Sequence, residues 1–320
     1  MRWSRGPVAL TTAAVALAVA GGAAALVPSR TVVTPLPVQD LALTGRSVAY
    51  VTDARPEELH CARIGFWNTR ANRRYVFDAK EQCLELTSTG QGVWDVAVAT
   101  NRLLWITYGG GNIREWTLWT ATTTRTKPRQ LRFVARDVDA RAPIVIGPGT
   151  AEGVPYAVDS RIVYLGDDGK AIFKATVDGP VRAIAGGSGP RGTRVAAVIG
   201  DSVVVGLDRD GQQVVVWEYT GRVVTAVRVS WRGLVVQAGN DVYIRGTRIR
   251  LPSGTTLVDV AEDRILWERA GDVGTTTIPT GKTTLLVDGS PARPALGQLE
   301  AQGFAWGRGK LVRWRSGRLP

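Results

Sequence analysis

Three aspartates stand where chemistry could be done. Asp40, Asp95 and Asp259 each open a short stretch of one design: Asp40-Leu-Ala-Leu-Thr-Gly-Arg-Ser-Val-Ala-Tyr50, Asp95-Val-Ala-Val-Ala-Thr-Asn-Arg-Leu-Leu-Trp105 and Asp259-Val-Ala-Glu-Asp-Arg-Ile-Leu-Trp267. If the fold gathers these carboxylates, two uses are open. They could form a cation or sugar site, with one acid protonating a glycosidic oxygen while another acts as base or nucleophile. The plainer use is structural: each Asp accepts backbone N–H bonds where a strand begins.

Other reactive groups are few. His60 is the only histidine, which argues against His-dependent nucleophiles and multi-His metal sites. No Gly-x-Ser-x-Gly elbow, His-Glu-x-x-His pair or P-loop is present. The weight of residues is therefore against catalysis, and no cofactor or metal is expected. Asp208-Arg-Asp210-Gly211 resembles the start of a calcium loop. Position 219 is Tyr where such a loop needs its bidentate Glu, so a hairpin turn is expected. Cys61 and Cys83 are the only cysteines, and with His60 alone beside them they lack the ligands of a zinc site. In an oxidising compartment they should pair as a disulfide.

The elements that must position these residues are strands. From Asp40 onward the apolar runs are short, β-branched and bounded by Gly, Asp, Asn or Pro, which predicts many short antiparallel strands. Looser copies of the repeat occur at Ala157–Tyr164 and Leu299–Trp306. The residues following the polar turns are Val48, Leu103, Ile162, Val203, Leu234, Ile265 and Phe304; their spacing averages about 43 residues, the size of a four-stranded propeller blade. Two short intervals, around Leu234, leave six or seven blades open. Five of these positions carry an aromatic two residues on: Tyr50, Trp105, Tyr164, Trp267 and Trp306. Period 2 places each ring on its anchor's face, where it should pack between blades. Ala42, Ala97, Ala157, Ala196 and Ala261 are expected on the crowded innermost strands. Asp40, Asp95 and Asp259 should then meet at one mouth of the central channel.

On these repeats and on the Asp-Gly and Thr-Gly turns at 168–169, 210–211 and 280–281, the region from Asp40 to Arg315 resembles the secreted bacterial β-propellers of the TolB-like, quinoprotein-like and NHL-like group. That resemblance implies a fold and carries over no activity.

The ends complete the plan. Residues 1–30 read as a signal peptide or an N-terminal transmembrane anchor. Arg2 and Arg5 precede an apolar run over residues 7–27, and Ala23-Ala-Ala25 offers a cleavage site. Residues 31–39, with Pro35 and Pro37, read as a linker, and residues 40–320 as an all-β propeller domain. Leu311-Val-Arg-Trp314 is expected to close the ring against strands from the Asp40 region. The chain is placed outside the cytoplasm, secreted or held at the outer face of the cytoplasmic membrane. Its net charge of +12 then points to anionic envelope polymers or lipid headgroups rather than nucleic acid. Basic residues concentrate at Arg63–Arg74 and from Arg308 to Arg318. The function expected is a monomeric, non-catalytic binding platform for an envelope protein or anionic polymer. The alternative is a carbohydrate-active enzyme using the channel-mouth carboxylates.

Overall fold

The computed structural model describes residues 29–52, 63–77, 92–122, 127–159, 161–167, 170–218, 222–291, 294–301 and 303–317. The segment 1–28, His60, Cys61, Cys83 and the 168–169 turn lie outside them. The 28 strands of the described residues form seven four-stranded antiparallel blades, the first strand, β1 (Ser29–Val33), belonging to the last of them. Blade 1 holds β2 (Val38–Thr44), β3 (Ser47–Thr52), β4 (Ile64–Asn68) and β5 (Arg73–Phe77). Blade 2 holds β6 (Gly92–Val98), β7 (Arg102–Gly109), β8 (Ile113–Thr122) and β9 (Arg129–Asp137). Blade 3 has β10 (Ile144–Ile146), β11 (Val154–Val158), β12 (Ile162–Asp167) and β13 (Lys170–Thr176). Blade 4 has β14 (Val181–Gly186), β15 (Val195–Ile199), β16 (Val203–Leu207) and β17 (Gln213–Glu218). Blade 5 comprises β18 (Val224–Ser230), β19 (Gly233–Ala238), β20 (Asp241–Ile244) and β21 (Thr247–Arg250). Blade 6 comprises β22 (Thr256–Ala261), β23 (Arg264–Arg269), β24 (Asp272–Thr277) and β25 (Thr283–Val287). Blade 7 is β26 (Ala295–Glu300), β27 (Gly303–Arg308), β28 (Leu311–Ser316) and, outermost, β1.

Seven blades are present, not six. The short spacing around Leu234 is met by four-residue strands β20 and β21 joined by a tight turn, and Leu234 sits on the second strand of a complete blade. Ile162 and Val203 fall on third strands, whereas the other five anchors fall on second strands. Blades 3 and 4 join their first two strands by the longer 147–153 and 187–194 connectors, so the first short polar turn comes one strand later. For the same reason Ala157 and Ala196 lie on second strands, while Ala42, Ala97 and Ala261 lie on innermost ones.

The stretch 31–39 is not a simple linker. Its first residues belong to β1, which pairs antiparallel with β28 from Ser29↔Arg315 to Val33↔Leu311. The β-branched run of Thr31, Val32 and Val33 suits an outer strand, and the two prolines fall in the connector to β2. Ring closure is thus non-covalent, as expected of Leu311–Trp314, but the partner lies upstream of Asp40. Val32, with 2% of its surface exposed, is sealed beneath Trp314 and Val312.

Blades cohere through the aromatic repeat. Tyr50 joins the cluster between blades 7 and 1, Trp105 that between 1 and 2, Tyr164 that between 2 and 3, and Trp267 that between 5 and 6. Trp306 is only partly buried between blades 6 and 7. Two rings need a glycine opposite. Tyr50 pairs across the strands with Gly65, and Trp267 with Gly274; a Cβ at either glycine would overlap the ring. Among the described residues no helix is long and apolar enough to cross a membrane.

Candidate functional site

The innermost strands of all seven blades surround a central cavity of about 670 Å³. Asp40 and Asp95 line it, and Asp259 lies on the innermost strand β22 outside its lining, each directly after a β-bulge that shifts the register of its strand. Bulges re-aim the side chains beside them. Ala183 and Ala226 follow the same bulge in blades 4 and 5, so the backbone alone does not demand a carboxylate there.

Each aspartate bonds to its own strand, and two of them also reach the next blade. Asp40 Oδ1 accepts from Leu41 N–H at 2.7 Å and Oδ2 from Val96 N–H of blade 2 at 3.0 Å. Asp259 Oδ1 accepts from Val260 N–H at 2.8 Å and Oδ2 from Leu299 N–H of blade 7 at 3.2 Å. Asp95 lies beside the Val96 amide and the Asp40 carboxyl, and the Asp40 charge opposes its ionisation.

Sequence reasoning missed three further members: Arg228, Glu268 and Glu300. Arg228 on β18 donates from Nε to Val258 O at 2.5 Å and from Nη1 to Val227 O at 2.7 Å, and it faces Asp259, Asp95 and Glu268. Glu268 Oε1 accepts from Gly297 N–H at 2.9 Å, and Glu300 Oε2 from Gly45 N–H at 2.6 Å, so both again join neighbouring blades. These side chains are walled by protein, and that desolvation outweighs their hydrogen bonds. It raises Asp40 and Asp259 to about 6 and Glu268 and Glu300 to about 7. Burial and the neighbouring Asp40 charge push Asp95 well above the usual carboxylate range. Burial lowers Arg228, against the pull of its carboxylates. Among the described residues no group of His, Cys, Asp and Glu could hold a metal ion. Asp208 is occupied as a turn former, its Oδ1 accepting from Asp210 N–H and Gln212 N–H at 2.9 and 2.8 Å.

The rim of the cavity differs from its wall. Trp94 is the bulge residue beside Asp95 and is 54% exposed. It stands edge-on to Tyr108 and Trp116 with ring centroids 5.9 and 5.1 Å apart, and Arg114 lies 5.1 Å over the Tyr108 ring. Arg141 and Arg182 complete the rim, and Arg182 is paired with Asp201. Trp94 sits next to Asp95, but nothing in period 2 reveals that a bulge turns it outward. On the opposite face Trp231, 61% exposed, is stacked by Arg232 at 4.7 Å and Arg245 at 5.9 Å.

Fold and channel together define a seven-bladed β-propeller of four-stranded repeats. Among solved structures, the chain is similar to Chaetomium thermophilum Raptor at 13% identity and a TM-score of 0.56, over 91% of this chain and 28% of that one. It is similar to a chain of the Mitotic Checkpoint Complex at 14% identity and a TM-score of 0.55, over 91% of this chain and 95% of that one. At such identities the likeness concerns the fold. No protein-family model and no curated protein sequence matches the chain.

Proposed function

We propose that the chain is a non-catalytic binding platform that engages a protein partner at the channel mouth carrying Trp94. One observation carries this reading. A large exposed aromatic, held rigidly by two further rings and bordered by guanidinium groups, has the make-up of an interface hot spot. The channel carboxylates, bound to backbone amides of neighbouring blades, act in this reading as ties of the scaffold. A propeller of the same fold in a protein assembly, the Mitotic Checkpoint Complex, supports a protein partner. The apolar run over 7–27 with Arg2 and Arg5 before it supports placement outside the cytoplasm, at the envelope, as in the bacterial propellers that the repeats resemble.

The test places a photo-crosslinking phenylalanine analogue at position 94, and in a second protein at 231, within cells producing the full chain. A discrete adduct from position 94, absent from 231 and reduced by Arg141→Glu, is expected in the envelope fraction. Equal adducts from both positions, or none from 94, would remove the channel mouth as the docking face. Recovery of the chain in the soluble cytoplasmic fraction would remove the envelope placement.

A further inference from the structure

The two faces of blade 7 are treated unequally. Towards blade 1, Val32, Ala305, Val312 and Trp314 are buried against Tyr50 and Trp67. The opposite face looks towards blade 6 and is built by alternate residues. Cross-strand pairing sets Phe304 beside Arg315, Trp306 beside Arg313 and Arg308 beside Leu311, and β1 adds Thr31 beside Arg313 and Val33 beside Leu311. Its inner part is covered: Phe304 is buried with Leu266 and Val273 of blade 6, and Trp306 is partly buried against the same cluster. Further out the blades part and leave a groove of about 1110 Å³. Leu285 of β25, 51% exposed, stands on one side, and Val33, 66% exposed, continues the blade 7 face beyond the groove.

The groove is cationic as well as apolar. Arg308, Lys310, Arg313 and Arg315 line it, and among the described residues none of them makes an ion pair. Asp288 is the one acidic residue on the lining. Phe304 and Trp306 stack at 5.1 Å between ring centroids, so the floor is a fixed aromatic shelf. Four cations without ion-pair partners beside apolar surface complement an anionic, partly apolar occupant.

We propose that this groove between blades 6 and 7 binds an extended segment of a partner protein in which acidic and apolar side chains alternate. Arg313 and Arg315 are alternate residues of one strand, roughly 6–7 Å apart along it. Carboxylates two residues apart on an extended peptide have the same spacing. The intervening apolar side chains then point the other way, towards Leu285, Leu286 and Val287 on the blade 6 wall. Leu285, Leu286, Val287 and Leu311 supply apolar area that aliphatic side chains fill and a glycan's hydroxyls do not, and a recess between blades does not lie flat on a bilayer. This site is separate from the channel mouth, and its test stands apart from that reading.

The test uses the full chain and a fluorescein-labelled ten-residue peptide of alternating Glu and Val, followed by anisotropy. The comparison probes are the same peptide with Lys for Glu and an oligogalacturonate of matched charge. Saturable binding of the Glu peptide, at least tenfold tighter than either comparison probe, is expected. Arg313→Glu with Arg315→Glu should weaken it at least tenfold while leaving the melting temperature within about 2 °C. Those side chains point into the groove from exposed or half-buried positions, so their reversal leaves the core intact. Trp306→Leu should weaken it independently of charge. Undiminished affinity after the double reversal would refute the groove. Equal affinity for oligogalacturonate would replace the peptide by a polyanionic glycan. Self-association of the wild-type chain that the reversal abolishes would replace it by a second copy.

Discussion

Glu268→Gln isolates the electrostatic cost of the channel. Glu268 is raised from 4.5 to about 7 chiefly by burial, so the folded protein keeps a proton that the unfolded chain releases. A tenfold change in proton affinity corresponds to about 1.4 kcal/mol, which puts the whole rise at about 3 kcal/mol. Because Glu268 is only half-buried, solvent cuts the usable part to about 1–2 kcal/mol. The sign follows from proton counting. Between about pH 4.5 and 7 the native state binds more protons, so stability falls as pH rises and levels off above about 7. Glu300 acts in the same direction over the same window, and Asp40 and Asp259 do so up to about 6. Asp241 does not interfere. Its contacts with Arg248 and Arg222 hold it below the usual range, so its contribution is complete above about pH 4 and lost only in stronger acid. Glutamine keeps the acceptor for Gly297 N–H but cannot ionise. At pH 8 the variant should melt about 2–3 °C above the wild type, and at pH 5 the two should nearly coincide. Thermal melts by near-ultraviolet circular dichroism at pH 5, 6.5 and 8 would read this directly. A variant that tracks the wild-type melting temperature at every pH would refute the burial argument.

Two further outcomes test the scaffold. Gly274→Ala drives a methyl into the Trp267 ring between blades 5 and 6, and urea denaturation should show a loss of about 1–3 kcal/mol; an unchanged midpoint would mean that the ring can move aside. Val32→Asp places a carboxylate in the sealed seam of blade 7 and should open the ring, seen as limited proteolysis within 29–37 under conditions where the wild type is intact.

The repeats are legible because they obey period 2. Val48, Leu103 and Ile265 mark true second strands, and Tyr50, Trp105 and Trp267 pack between blades because side-chain direction in a strand follows directly from spacing. Ile162 and Val203 mislead where a longer connector displaces the short turn used as the marker. The clustering of Asp40 with Asp95 follows from equivalent positions in adjacent repeats. Arg228 does not, since it is one of 40 basic residues and its blade carries Ala226 where others carry Asp. The groove is half-visible. Arg308 to Arg318 stands out as a basic tail, but its facing of Leu285 across a gap depends on how far blades 6 and 7 diverge, which no local pattern encodes.

Closure by β1 has a kinetic side. Val33 meets Leu311 only after roughly 280 residues of chain are gathered. Relative to a ten-residue hairpin this is about five doublings of loop length, an entropic handicap of about 3 kcal/mol. The last blade is therefore the natural laggard of folding, and until β1 arrives β28 presents a bare edge open to mispairing with another chain. Any ligand that bridges the β1 and β28 residues of blade 7 prefers the closed ring. At a hundredfold excess over its dissociation constant it would lock that seam by about 2.7 kcal/mol, so occupancy and the integrity of the whole ring rise and fall together.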